Sequence, residues 1–212
     1  MPADHGDEKP PVSREQIFVT ALAVIDETGL EGLSMRKLGV GLGIDPMMVY
    51  RFFPNKGALL DGVMEQIWRS VDLGALEQHD GWREQLITVM HRLRESLLAH
   101  PNAIMIIGTR PAAGQGLFML FDRLVEMLIA AGMTVDDRTG DLLNALVNYT
   151  VGHVLAEAAP PVGGDADPHA QPLVSPTMLP HLALLFSSGW TYDPVRQFDT
   201  ALRAIVAGGA HS

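Results

Sequence analysis

Basic side chains cluster between residues 34 and 56 of a chain that is otherwise acidic. This stretch contains four basic residues and one acidic residue, whereas the whole 212-residue chain has a formal net charge of −10; the basic residues are Arg36, Lys37, Arg51 and Lys56, and the acidic one is Asp45. Guanidinium and ammonium groups bind phosphate oxygens, so a basic island in an acidic protein is typical of a surface that meets nucleic acid. The pattern indicates a phosphate-binding face.

Two short helices separated by a tight turn are predicted to position these basic residues. Ser34 is a typical N-cap, and Gly43 ends the first helix. Asp45 and Pro46 begin the second helix. Aspartate accepts hydrogen bonds from the free N–H groups of the first turn, and proline at the first helical position loses no intrahelical hydrogen bond. The second helix ends near Phe52 and is too short to be stable alone. This order of elements predicts a helix-turn-helix, whose second helix enters the major groove by its N-terminal end.

The residue types along this stretch resemble the DNA-binding domain of the tetracycline-repressor (TetR) family. The positions that carry the resemblance are Gly29, Leu30, Leu33, Ser34, Arg36, Lys37, Leu38, Leu42, Gly43, Ile44, Tyr50, Phe53, Asn55, Lys56, Leu59 and Leu60. The resemblance implies an all-α protein with an N-terminal three-helix DNA-binding domain and a C-terminal helical effector-binding and dimerisation domain. It also implies a homodimer in which helices about 136–159 and 193–207 of two subunits form a four-helix interface.

The resemblance assigns roles to individual residues of the DNA-binding face. Arg36 corresponds to a base-contacting arginine, while Tyr50 and Lys56 correspond to phosphate contacts, for which a hydroxyl and an ammonium at helix ends are suited. The alternative for Arg36 is a solvated surface position. Methionines in the base-facing positions offer only apolar contact, such as to a thymine methyl group, and the alternative is that one of them belongs to the core. The complete predicted set is Arg36, Lys37, Asp45, Pro46, Met47, Met48, Tyr50, Arg51 and Lys56.

Apolar periodicity elsewhere predicts more helices and no strands, which gives an all-α fold. A disordered tail is expected over residues 1–12, the DNA-binding domain over 13–71 and the C-terminal domain over 72–208. Residues 117–129 are apolar on nearly all sides and are therefore expected to be buried on more than one face. The last helix is expected to begin at Asp193 and Pro194 and to share a narrow apolar seam with another helix; the seam residues are Val195, Phe198, Leu202 and Ile205.

The segments 97–111 and 151–157 are similar to the ligand domain of tetracycline-binding members of the family. The magnesium ligands of those proteins are not matched, because Ile106 stands in place of a histidine and Ala156 in place of a glutamate. An unknown, largely apolar effector is therefore expected instead of a tetracycline–magnesium complex. The predicted lining of its pocket is Met105, Ile106, Thr109, Arg110, Phe118, Phe121, Tyr149 and His153. Arg110 could orient the effector or cap the preceding short helix.

Composition limits the compartment and the kinds of metal site that this protein can have. The chain has no cysteine, which excludes disulfides and thiolate metal sites, and neither a signal-peptide h-region nor a membrane-spanning run is present in it. A cytoplasmic protein without membrane association is expected. His153 and Glu157 lie four residues apart on one helix face, but two ligands are too few for a metal site. No metal and no cofactor are predicted.

A ligand-responsive regulator is the function that these patterns favour. We expect a homodimer that represses transcription from a palindromic double-stranded DNA operator and is released by the effector. A regulator controlled by a protein partner is the first alternative. A helical enzyme is a remote alternative, because the sequence contains no catalytic triad spacing, and the glycines at 39, 41 and 43 follow no strand as a phosphate loop would.

Overall fold

Helices make up every regular element that the structure describes. The computed structural model describes residues 12–74, 81–110, 114–159 and 179–209, and in these ranges it contains ten α-helices, one 3-10 turn (Pro101–Ala103) and no strand. The helices are α1 (Arg14–Gly32), α2 (Met35–Leu42), α3 (Pro46–Phe52), α4 (Lys56–Ser70), α5 (Trp82–Leu98), α6 (Ile104–Thr109), α7 (Gln115–Ala130), α8 (Thr139–Ala158), α9 (Pro180–Ser187) and α10 (Pro194–Gly209). The all-α prediction is confirmed.

Side-chain caps define where the N-terminal helices begin. The Ser34 hydroxyl accepts from the Lys37 N–H at 3.2 Å and starts α2, and the Asp45 carboxylate accepts from the Met47 N–H at 2.8 Å and starts α3. Between the two helices Gly43 adopts φ 65°, a left-handed conformation that glycine reaches without strain. Each of these caps acts within three residues, so the helix-turn-helix forms from local sequence.

Two glycines allow the helices of this N-terminal unit to approach closely. A Cβ at Gly39 would lie 3.0 Å from the Ile44 carbonyl oxygen and 3.1 Å from the Pro46 Cα atom, so the α2 backbone packs directly on the turn and the start of α3. A Cβ at Gly62 would overlap the Phe18 ring of α1. No feature of the sequence explains why residue 39 is a glycine; the close packing of α2 on the turn explains it.

The C-terminal helices pack around α5, which contacts α7, α8 and α10. Phe198, Leu202 and Val206 are the buried residues of α10, and Ile205 is partly buried against the same core. Val195, the first residue of the predicted seam, is 56% exposed and does not join the core of its own chain. Asp193 caps α10 as expected, because its carboxylate accepts from the Arg196 N–H at 3.0 Å.

The apolar helix α7 buries one face only. Leu117, Leu124 and Leu128 are buried, whereas Phe118, Met119 and Ile129 are between half and two-thirds exposed. The expectation of burial on several faces is wrong, because within the described part of this chain only α4 and α5 pack substantially against α7. Hydrophobicity alone does not reveal how many neighbours a helix has.

Helix α9 has no buried residue, although its sequence PHLALLFS is mostly apolar. Leu182, Leu184, Leu185 and Phe186 are all exposed. Of the tail predicted over residues 1–12, residues 1–11 lie outside the described part of the chain.

Candidate DNA-binding face and effector domain

Helix α3 presents its N-terminal half to solvent. Val49 is fully buried and anchors the helix, whereas Met47 is 68% exposed, Met48 39% and Tyr50 45%. Neither methionine belongs to the core, so the alternative raised for one of them does not hold. These side chains of α3 are thus accessible to solvent, as those of a reading helix must be. DNA contact by each named residue stays a prediction.

Lys56 joins two helices of the N-terminal unit. Its ammonium donates to the carbonyl oxygens of Leu30 at 3.1 Å and Leu33 at 2.8 Å, near the end of α1, while the adjacent Asn55 caps α4 through the Ala58 N–H at 2.9 Å. An ammonium has three donors, so one remains for a phosphate oxygen. The side chain is exposed, and the predicted phosphate contact is compatible with its structural contacts.

Arg14 holds the C-terminal end of α3, a role that sequence reasoning missed. Its guanidinium donates to the Phe52 carbonyl oxygen at 3.3 Å and lies 5.3 Å from the centre of the Phe53 ring. Phe53 in turn packs on Phe18 of α1. A cation in the first turn of a helix opposes the helix dipole. That unfavourable position was the one hint in the sequence that Arg14 serves another element.

Polar contacts connect the N-terminal unit to the C-terminal helices. Arg110, just after α6, donates to the Asp61 carboxylate of α4 at 2.7 Å and to the Gly57 carbonyl oxygen at 3.2 Å. His100 pairs with Asp26 of α1 at 2.8 Å. The Arg110 side chain therefore engages α4, while its backbone N–H caps α6 by donating to the Ile106 carbonyl oxygen at 3.1 Å. These contacts give the helix that carries Lys56 a direct connection to the C-terminal domain.

Tyr149 and His153 lie together against Phe198, where α8 meets α10. The Tyr149 ring stacks on Phe198 with centroids 5.5 Å apart, and the His153 ring lies 5.1 Å from the same side chain. Burial of the hydroxyl raises the pKa of Tyr149 above its usual value, and the nearby charge of Arg94 opposes that rise. These two predicted effector residues are thus packing partners of α10.

An ion pair between buried Arg94 and partly buried Glu157, beside this aromatic cluster, was not predicted. Arg94 of α5 is 7% exposed and contacts both carboxylate oxygens of Glu157 in α8, at 2.5 and 2.6 Å. His153 lies 3.6 Å from the same carboxylate. The histidine and glutamate were paired correctly as helix neighbours, but the main partner of Glu157 comes from another helix, 63 positions away. The His153 Nε2 atom lies 3.1 Å from the Pro194 carbonyl oxygen at the start of α10.

The other predicted effector residues occupy different environments. Ile106 is buried, Met105 and Phe121 are partly buried, Thr109 is exposed and bonds the Met105 carbonyl oxygen, and Phe118 is exposed. A groove of about 850 Å³ between α1, α4 and the end of α6 is lined by Arg110 but, among the described residues, by no other member of the set. Effector binding by the set stays a prediction, and the structure does not gather it around this groove.

No three histidine, aspartate or glutamate side chains converge as metal ligands in the described part of the chain. Among the described helices, none combines the length and the apolar character that crossing a bilayer requires.

An exposed reading helix on an all-helical frame defines a helix-turn-helix DNA-binding protein. The family model of bacterial regulatory proteins, tetR family, matches residues 17–63, and that of the tetracyclin repressor-like C-terminal domain matches residues 74–211. The chain belongs to the TetR family of transcriptional regulators, as the sequence predicted. The family consists of regulators, not enzymes.

Individual relatives agree with this assignment. The tetracycline repressor protein class C of Escherichia coli is 30% identical over 200 residues, which cover 93% of this chain and 90% of that protein. The crystal structure of apo ActR from Streptomyces coelicolor matches with a TM-score of 0.76 and 27% identity, covering 94% of this chain and 95% of that one. ActR in complex with actinorhodin matches with a TM-score of 0.75 and 25% identity, covering 94% and 97%.

Proposed function

We propose that this protein is a cytoplasmic homodimeric repressor that binds a palindromic operator and is released by a small, largely apolar effector. The exposed N-terminal half of α3, set in a basic island of a chain with net charge −10, is the observation that carries the proposal. Two such helices related by a two-fold axis would meet successive major grooves about 34–36 Å apart.

Exposed surfaces of α8 and α10 support the homodimer. On α8 the small residues Ala145, Gly152 and Ala156 are exposed, and a Cβ at Gly152 would meet no described atom within 4 Å. Val195 of α10 is also exposed. Small side chains let two helices approach closely, and burial of the apolar ones favours association. A second copy packed on these helices would form the four-helix interface that the family resemblance implies.

The contacts of α4 support structural coupling between effector binding in the C-terminal domain and the DNA-binding unit. Lys56 lies at the N-terminal end of α4, whereas Arg110 and α7 contact the same helix from the C-terminal domain. An effector that favours one arrangement of these helices would misplace the two reading helices, provided that it binds the two conformers with different affinities. ActR, a relative solved in complex with actinorhodin, is a precedent for small-molecule binding by this fold.

The decisive experiment is selection of bound fragments from random duplex DNA with the purified protein, followed by salt titration of the selected site. We expect a palindrome bound by two subunits. Failure to enrich any sequence at low salt would overturn the repressor proposal. A bound site that is asymmetric and saturates with one subunit would overturn the dimer.

Lys56→Ala is expected to weaken binding to all DNA sequences by about tenfold or more, because each subunit loses a phosphate contact and the link from α4 to α1. The salt slope of the binding constant should fall by about one per subunit. Filter binding at several salt concentrations measures both quantities. An unchanged salt slope would remove Lys56 from the phosphate contacts.

Arg36→Ala is expected to relax sequence preference, because a base contact carries sequence information that a phosphate contact does not. The loss of discrimination at one base pair should be about 1–3 kcal/mol. Competition between the selected operator and single-base variants measures it, with Lys56→Ala as the comparison. Equal weakening for every variant would reassign Arg36 to the DNA backbone.

A further inference from the structure

The methionines of this chain differ sharply in their exposure to solvent. Among the described residues, four methionines are buried and two are partly buried; the buried ones are Met35, Met64, Met90 and Met133, and the partly buried ones are Met105 and Met127. The exposed ones in the same ranges are Met47 at 68%, Met48 at 39% and Met119 at 58%. Met47 and Met48 are neighbours on α3. Two of the accessible thioethers therefore lie on the helix that carries the proposed base contacts.

Oxidation by hydroperoxides is the characteristic reaction of an exposed thioether. The sulfur lone pair attacks one oxygen of hydrogen peroxide, the S–O bond forms, the O–O bond breaks, and proton transfer releases water. Sulfur loses two electrons and the peroxide gains them. The product, methionine sulfoxide, is polar, and methionine sulfoxide reductases restore the thioether. The chain contains no cysteine, so no thiol of this protein competes for the oxidant.

A contact within α3 gives the oxidation of Met48 a specific consequence. The Arg51 guanidinium donates from Nη1 to the Met48 sulfur at 3.6 Å. A thioether sulfur is a weak acceptor, so this contact does not compete strongly with a DNA phosphate for the guanidinium. A sulfoxide presents an oxygen acceptor to the same guanidinium and holds it more firmly on the protein. Oxidation of Met48 thus withdraws a cation from the DNA-binding face.

Oxidation of Met47 changes the base-facing surface directly. Its thioether offers apolar contact to a base edge, such as a thymine methyl group. The sulfoxide oxygen is an acceptor that would be buried against that methyl group without a donor, and burial of an unpaired polar atom costs free energy. Val49, the next residue after the pair, is fully buried and keeps α3 anchored to the core. Oxidation of either methionine therefore weakens DNA contact without removing the helix.

We propose that Met47 and Met48 form an oxidation-sensitive site in the reading helix, at which hydroperoxides convert the thioethers to sulfoxides and release the operator. The proposal rests on the repressor function proposed above. It adds a second input to that function, because covalent modification acts on the DNA-binding face itself and does not require an effector in the C-terminal domain.

The test treats the full-length protein with hydrogen peroxide, locates the sulfoxides by peptide mass spectrometry, and measures the Kd of the selected operator before and after treatment. Met47 and Met48 are expected to be oxidised before the buried methionines. Bound operator should slow their oxidation but not that of Met119. The operator Kd is expected to rise about tenfold or more, because each subunit loses apolar contacts and a phosphate contact. Methionine sulfoxide reductases should restore the original Kd.

The double substitution Met47→Leu with Met48→Leu removes both sulfur atoms and keeps apolar side chains of similar volume. The measured quantity is the ratio of the operator Kd after and before oxidation within one variant, so a changed starting affinity does not enter it. Peroxide should leave the Kd of the double variant unchanged. Met119→Leu is the matched control, because Met119 is an exposed methionine of α7 in the C-terminal domain. That variant should respond to peroxide as the unmodified protein does.

Operator binding and oxidation together separate this proposal from the one on which it rests. An unchanged operator Kd in protein whose Met47 and Met48 are oxidised would overturn the site and leave the repressor function intact. An equal rise in Kd in the double variant, or a loss of helical circular dichroism on oxidation, would assign the effect to other residues and also overturn it. If no operator is selected, binding to random duplex DNA at low salt replaces operator binding as the measurement. Loss of that binding on oxidation only when both methionines are present would retain the site and remove the repressor function, whereas absence of all duplex binding would overturn both.

Discussion

Glu157→Ala is expected to lower the free energy of unfolding by at most about 3–5 kcal/mol, the effect of removing one partner of a fully buried ion pair, because Arg94 is buried whereas the Glu157 side chain is 17% exposed. The side chain of the remaining Arg94 is 9% exposed, and its Nε atom already has no acceptor in the described structure. Its other close neighbour is the face of Phe198, 5.5 Å from the guanidinium carbon, which attracts a cation but accepts no strong hydrogen bond. The charge would therefore be left without compensation.

Urea unfolding at fixed protein concentration measures this loss, and the concentration must be fixed because dimerisation would couple it to stability. The matched control is the double substitution Arg94→Met with Glu157→Leu, which removes both charges and fills the space with apolar atoms. That variant should regain most of the lost stability. A loss below about 1 kcal/mol in Glu157→Ala, the value typical of an exposed pair, would show that the pair is hydrated.

Gly39→Val is expected to separate α2 from α3 and to weaken operator binding by at least about tenfold. A Cβ at this position already lies 3.0 Å from the Ile44 carbonyl oxygen, so valine must push the turn and the start of the reading helix outwards. Overpacking of this kind costs about 1–3 kcal/mol. The backbone on the other side of the contact cannot rotate away as a side chain would.

Operator affinity and thermal unfolding, measured on the same preparation, check this expectation. Gly140→Val in α8 is the control, because Gly140 is exposed and a Cβ at this position would meet no described atom within 4 Å. Gly140→Val also replaces a helical glycine with valine, but it creates no steric clash with a neighbouring backbone. Operator affinity in Gly39→Val equal to that of the control would mean that the contact between α2 and α3 does not position the reading helix.

Local sequence determined the N-terminal part of this protein almost completely. Ser34, Asp45 and Asn55 each cap a helix that begins at the next residue, as the sequence predicted for Ser34 and Asp45. Caps act over three or four positions, so their residue types and spacing specify where helices begin. The family resemblance rests on the same stretch, which is why the class of protein was readable before the structure.

Tertiary structure decided how the helices meet. Arg14 reaches Phe52 across 38 positions and Arg94 reaches Glu157 across 63, and no periodicity in a single helix indicates such a partner. The apolar character of α7 predicted burial on several faces, yet one face is exposed because few of the described helices pack on it. Residue types and spacing thus determined which segments are helical and which face could meet DNA. Ion pairs, close glycine contacts and cavities depend on residues that only the folded chain brings together.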